Sequence, residues 1–303
     1  MRSKKWITER PLKLWKKINI MNLTYQNLDV LEFYRKLPFN IYSNKESSIK
    51  SLKENDPIKI YPPLSKIIKN DENINILDLG CGVGWFANLL SYNFNRINVT
   101  GVDFNSIAID FANKIKDQLN LKTNFIVEDL FKVNFSDKFD LISSLGVLHH
   151  TNNCLKGIEK IIELSPRYFL IGLYHKYGRK PFLEHFDNLK LKFKDLKKND
   201  LENALFEEYK KLDKRSSDET HLRSWFKDQV LHPKETQHTL AEILPIIKTK
   251  YKIISTSLNK FEQIHNLEQI VEEEEKWLNF GLQKLRNNIY FPGFFIIFGE
   301  RIN

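Results

Sequence analysis

Cysteine is nearly absent from this sequence. Cys81 and Cys154 are the only two among 303 residues, too few for a disulfide framework or a cysteine-rich metal cluster. Long apolar runs are missing too. None approaches the roughly 20 residues that a bilayer crossing needs, so no membrane association is expected. The first ten residues, MRSKKWITER, lack the apolar core of a secretory signal. Unpaired cysteines and no export signal together predict a cytoplasmic protein. A hydrophobic fraction of 42% excludes a disordered chain, and the length suits one large domain with additions. The 47 basic residues exceed the 38 acidic ones, for a net charge of +9. The lysines are interleaved with acids, as in Lys190-Leu191-Lys192-Phe193-Lys194-Asp195. That pattern speaks for solubility first, and only secondarily for an acidic ligand or RNA.

Two nucleotide signatures are also absent. The stretch Ile76-Leu77-Asp78-Leu79-Gly80-Cys81-Gly82-Val83-Gly84-Trp85-Phe86 reads as an apolar strand, a glycine-rich turn and the start of a helix. Its third glycine comes one residue too early for the dinucleotide fingerprint, and nothing matches a P-loop. What remains is a cradle. Glycines let a ligand lie against bare main chain, a helix N-terminus follows, and Asp78 stands just before the turn. Open α/β sheets bind ligands at such strand ends.

At Leu77-Asp78-Leu79-Gly80-Cys81-Gly82-Val83-Gly84 the sequence resembles the class I S-adenosylmethionine-dependent methyltransferases. An ordered series extends the likeness over roughly residues 70–175. A second strand, Ile97 to Asp103, ends in a carboxylate about 20 residues past the loop, where a ribose is usually held. A helix follows, with Ile107, Phe111, Ile115 and Leu119 along one face and Ser106 as its N-cap. Asp129 ends a third strand at the position that accepts from the adenine amino group in the family. The resemblance implies cofactor contacts from Asp78, Gly80, Cys81, Gly82, Gly84, Asp103, Phe104, Asp129, Leu130 and Leu145. Cys81 reads as a small packing residue at that loop, not a nucleophile. Each carboxylate also has a plainer reading, as a helix-dipole partner or a solvated strand end.

The fourth strand, Phe139 to Ser144, leads into Leu145-Gly146-Val147-Leu148-His149-His150-Thr151, which resembles the matching segment of ubiquinone-type methyltransferases. The fifth runs from Arg167 to Leu173, the sixth from Lys250 to Thr256, and the seventh from Gly293 to Gly299. The fold expected is therefore α/β, a Rossmann-like doubly wound sheet of seven strands with the last antiparallel. Residues 1–70 form an N-terminal extension and cofactor cover. Residues 71–174 and 250–303 form the methyltransferase core, and 175–249 a helical insertion serving as substrate lid. Trp6, Leu12, Leu14, Trp15 and Ile18 fit one face of an amphipathic helix that packs on the core or on a partner subunit. The proline-punctuated stretches 37–42 and 56–63 read as extended or turn segments, with Tyr42 and Tyr61 lining the cover. The run Glu272 to Glu275 reads as a solvated face.

Methyl transfer requires alignment and exclusion of water more than covalent help. A base helps when the nucleophile must lose a proton. His149 and His150 follow the fourth strand, and Tyr174 and His175 end the fifth, so the three histidines are the catalytic candidates and Tyr174 a pocket wall. Arg179 is a candidate partner for a substrate carboxylate or phosphate. The insertion supplies His221, Trp225, Asp228 and His232 as substrate contacts. The spacing His232-x5-His238 fits no metal-ligand pattern, so no metal is expected. The expected function is methylation of a small metabolite on oxygen, nitrogen or sulfur, with S-adenosylmethionine as cofactor. An RNA methyltransferase and a non-catalytic cofactor-binding scaffold are the alternatives. A homodimer is compatible with the sequence, and a nucleic-acid partner is not expected.

Overall fold

The computed structural model describes residues 27–68 and 73–302, so the amphipathic stretch around Trp6 to Ile18 lies outside the described residues. Seven strands form one sheet. They are β1 (Ile74–Leu79), β2 (Ile97–Asp103), β3 (Asn124–Val127), β4 (Leu141–Leu145), β5 (Tyr168–Tyr174), β6 (Tyr251–Thr256) and β7 (Phe294–Arg301). Their order is β3-β2-β1-β4-β5-β7-β6. Strands β1 to β5 pair in parallel, and β7 lies antiparallel between β5 and β6. The strand order reverses between β1 and β4, so a crevice opens beyond their carboxyl ends.

The strands read as continuous apolar runs because helices cover both sheet faces. Alternate residues feed opposite cores, as a period of two requires. Leu77, Leu79, Phe169, Ile171, Leu173, Phe295 and Ile297 enter one buried cluster. Ile74, Ile76, Tyr168, Leu170, Ile296 and Phe298 enter the other. No helix of the described residues is long and apolar enough to cross a membrane.

Before the sheet come α1 (Leu28–Lys36), α2 (Lys45–Glu54) and α3 (Pro57–Ile60), then a 3-10 turn at Pro62–Lys66. The second proline-rich stretch is thus helical, not extended. Asp56 caps α3 by accepting from Ile58 N and Lys59 N, and Pro57 sits at its first position, where the missing N–H is no loss. Helices α4 (Trp85–Asn93), α5 (Ser106–Gln118) and α6 (Cys154–Glu163) pack on the parallel strands. The cap of α5 is Asn105, whose side chain accepts from Ile107 N, so Ser106 is its first helical residue. Its buried face is Ala108, Ile109, Ala112 and Ile115, while Ile107 is 42% exposed.

After β5 the chain forms α7 (Lys176–Lys192), α8 (Lys198–Leu212), α9 (Glu219–Val230) and α10 (Leu240–Ile247). The first three share a separate apolar cluster that includes Phe182, Phe186, Phe206, Tyr209 and Phe226. Between β6 and β7 lie α11 (Leu267–Glu272) and α12 (Lys276–Arg286). The acidic run between them is not wholly solvated. Glu274 is buried and accepts from Leu240 N and Ala241 N, the free N–H groups at the start of α10.

Candidate active site

One pocket of about 640 Å³ lies over the carboxyl edge of β1, β2 and β4, within the range of clefts that enclose small ligands. At one end is the glycine loop. Gly80, Gly82 and Gly84 all have positive φ, at 77°, 54° and 72°. They differ in what surrounds them. A Cβ on Gly82 would meet nothing within 4 Å, one on Gly80 would strike Val147, and one on Gly84 would strike Ala112 and Phe125. Gly82 therefore faces open pocket. Gly84 does not line the pocket, and its small size serves the packing of α4 against β3 and α5.

Three carboxylates surround this loop. Asp103 Oδ2 accepts from Gly82 N at 2.8 Å, and its Oδ1 accepts from Asn105 N at 2.8 Å. Each oxygen keeps lone-pair capacity toward the pocket. Burial pushes Asp103 up to about 6 despite those two hydrogen bonds. Asp129 Oδ1 accepts from Phe131 N, whereas its buried Oδ2 has no partner among the described residues. Asp78 accepts from Ser143 Oγ at 2.8 Å. Burial pushes it up to about 7, opposed by Ser143 and reinforced by Asp103. Phe104, Leu130, Leu145 and Cys81 line the same end. Both cysteines are free and buried.

Asp78 gives a signed stability expectation for the cofactor-free protein. Its folded pKa lies above its unfolded one of 3.8, so its contribution is fully present below that value and is lost as pH rises through about 7. Asp78→Asn should therefore raise the thermal midpoint most above pH 7, worth about 1–3 kcal/mol after the new amide's own needs. Melting curves should show the gain shrinking toward pH 4. A gain independent of pH would contradict the raised pKa.

The other end of the pocket is built from distant segments. Asp228, on α9, lies at the centre of a polar cluster. Its Oδ1 accepts from Tyr34 Oη at 2.5 Å and its Oδ2 from Tyr174 Oη at 3.3 Å. His150 Nε2 lies 3.5 Å from Asp228 Oδ1, an ion-pair contact too long for a good hydrogen bond. His150 Nδ1 lies 2.9 Å from the carbonyl of Lys234, so that nitrogen carries the proton. Burial alone would lower the pKa of His150, but the Asp228 carboxylate outweighs it and the imidazole is raised. Burial likewise works against ionised Asp228, and His150 turns the balance to hold that carboxyl low.

The remaining predicted contacts divide. Tyr174, His221 and Trp225 line the pocket. Asn40 Oδ1 accepts from Trp225 Nε1 at 3.0 Å and lies 2.7 Å from His221 Nε2. Tyr42 stacks on His221 at 3.9 Å. Burial, then the charge of Arg215, pulls His221 down to about 4. His232 stacks 3.8 Å behind His150 and does not line the pocket. Burial, then His150, pulls it down to about 3.

His149 also stays out of the pocket, buried, with both ring nitrogens unpartnered among the described residues. Burial, then the charges of His150 and Arg179, holds it well below the imidazole range. His175 is fully buried away from the pocket. Its Nδ1 accepts from Gly178 N and its Nε2 donates to Glu274 Oε1, so it caps α7 instead of facing a substrate. Arg179 is buried as well. It donates to both oxygens of Glu235 and to the carbonyls of Gln229 and Pro292, leaving no edge for a ligand. Sequence reasoning missed Tyr34, Asn40, Arg215 and Tyr290, all of which line the pocket.

Residues 70–172 match the family described as "Methyltransferase domain". A malonyl-[acyl-carrier protein] O-methyltransferase of Ilyobacter polytropus is 28% identical over 188 residues, covering 59% of this chain and 66% of the relative. The ribosomal RNA small subunit methyltransferase C of Haemophilus ducreyi is 37% identical over 116 residues, covering 38% and 35%. The chain thus spans less than two thirds of these relatives' lengths. Among solved structures, magnesium protoporphyrin IX methyltransferase from Synechocystis PCC 6803 with bound SAH superposes with a TM-score of 0.51. That match has 16% identity and covers 94% of this chain and 99% of that one. PKMT2 from Rickettsia typhi in complex with AdoHcy gives a TM-score of 0.55 at 16% identity, covering 77% and 49%. Residues 70–172 of this chain are thus a methyltransferase domain, and the seven-stranded sheet with β7 antiparallel between β5 and β6 has the fold of these S-adenosylmethionine-dependent methyltransferase structures.

Proposed function

We propose that the chain transfers the methyl group of S-adenosylmethionine to a small organic acceptor. One observation carries this reading. The carboxylate-ringed glycine loop and the Asp228 cluster share a single pocket roofed by Tyr34, Asn40, Tyr42 and Trp225, a space sized for a cofactor and a compact partner. The residues present suit the cofactor. Asp103 has lone pairs left for the ribose hydroxyls, Asp129 Oδ2 is a buried acceptor without a donor among the described residues, and Gly82 leaves bare main chain facing open space. Bound there, S-adenosylmethionine would supply an already activated methyl group. The protein's part is to align the acceptor, exclude water and handle a proton. His150 and Asp228 are the proposed proton-handling pair. Tyr174, His221 and Trp225 are the proposed acceptor contacts.

Asp103→Ala should weaken binding of S-adenosylhomocysteine by about 1–3 kcal/mol, the worth of charge-assisted hydrogen bonds. Calorimetry on a folded variant checks this, and unchanged affinity would remove Asp103 from the cofactor site. The acceptor class is tested by incubating the protein with labelled S-adenosylmethionine and fractionated cell extract. Label should enter the small-molecule fraction. Label confined to the RNA fraction, with binding that falls steeply with salt, would replace this reading with an RNA methyltransferase.

A further inference from the structure

The acceptor end of the pocket carries one fixed positive charge. Among the described residues that line the pocket, Arg215 is the only arginine or lysine. It lies in the turn between α8 and α9, and its position is over-determined. Nε and Nη2 donate to the two oxygens of Asp213 at 2.9 and 2.8 Å. Asp213 is itself buried and accepts from Tyr209 Oη. The guanidinium lies 4.3 Å from the Trp225 ring centre and 3.9 Å from that of Tyr290, two cation–π contacts. These contacts occupy one edge of the group and pack two rings against it. Nη1, on the free edge, makes no hydrogen bond among the described residues, and the side chain is 48% exposed.

We infer that Arg215 is the anchor for a carboxylate on the methyl acceptor, so that the acceptor is a small aromatic or otherwise planar acid. The inference rests on the proposed methyl-transfer reading and names its substrate class. A carboxylate fits better than a phosphate. Asp213 already pairs with the Arg215 charge, and Asp78, Asp103, Glu128, Asp129 and Asp228 line the same pocket, so a monoanion is held through the Nη1 donors while a dianion would be repelled. Flat rings line the same pocket, including Tyr34, Tyr42, Trp225 and Phe294. Trp225 and Asp228 are three residues apart on α9 and so share a face. Arg215 packs on the Trp225 ring, so the anchored carboxylate and the Asp228 cluster lie along one face of α9, and a flat acceptor would bridge them.

Calorimetric titration of the S-adenosylhomocysteine-bound protein tests this. The probes are benzoate, 4-hydroxybenzoate and indole-3-acetate, each against its neutral amide. At least one acid should bind ten-fold or more tightly than its amide. Arg215→Gln should erase that preference with S-adenosylhomocysteine affinity unchanged, and Arg215→Lys should keep part of it. The inference is overturned if no acid binds more tightly than its amide, or if the preference survives in Arg215→Gln. Failure of the wild-type protein to bind S-adenosylhomocysteine would instead strike the methyl-transfer reading beneath it.

Discussion

Gly82→Val should remove binding of S-adenosylmethionine and its demethylated product while leaving the protein folded. The loss should exceed about 100-fold, or about 3 kcal/mol. A Cβ at this position would meet nothing within 4 Å, so the side chain would start out into open pocket. That room is the ligand's. The positive φ of 54° adds strain of roughly 1–3 kcal/mol for a β-branched residue, visible as a lower thermal midpoint but not as unfolding. Gly80→Ala is the informative contrast, because its Cβ would lie 2.4 Å from Val147 Cγ1. It should damage the loop itself, lowering stability and binding together. Gly82→Val with normal cofactor affinity would show that the loop does not cradle the ligand.

The reach of sequence reasoning follows from how far each signal extends along the chain. The β1 strand, its glycine turn and the acid at the end of β2 were readable because each is a local pattern. The failures cluster where facing direction decides. Tyr174 and His175 are neighbours at the end of β5, yet only Tyr174 lines the pocket. Successive side chains leave a strand on opposite faces, so the two could not both reach one crevice. His175 turns instead to Glu274, 99 residues away, a pairing that no local pattern announces. Arg179 follows the same logic, since the first turn of α7 aims it inward at Glu235. Tyr34 was missed for the opposite reason. It lies in an ordinary helix, and its partner Asp228 is 194 residues distant.

Asp228→Ala should cut turnover by about 100-fold or more, the usual worth of a proton-transfer group, while cofactor affinity stays within about three-fold. The two effects separate because Asp78, Asp103 and Asp129 are held by β1, β2 and the segment after β3, whereas Asp228 stands on α9. A structural role alone could also lower turnover, because alanine leaves the Tyr34 and Tyr174 hydroxyls without their acceptor. Asp228→Asn distinguishes the two, since its carbonyl can still accept a tyrosine hydroxyl but carries no charge. The Asp228 carboxylate is what raises the His150 pKa against the pull of burial, so the amide should let that pKa fall. If neutral His150 takes the acceptor's proton, the acid limb of kcat/KM is set by this ionisation and should move to lower pH in Asp228→Asn. A purely structural Asp228 would change the height of the profile and leave its limb in place. An unmoved limb together with near-normal turnover would reduce the His150–Asp228 pair to a strut between α9 and the turn that follows β4.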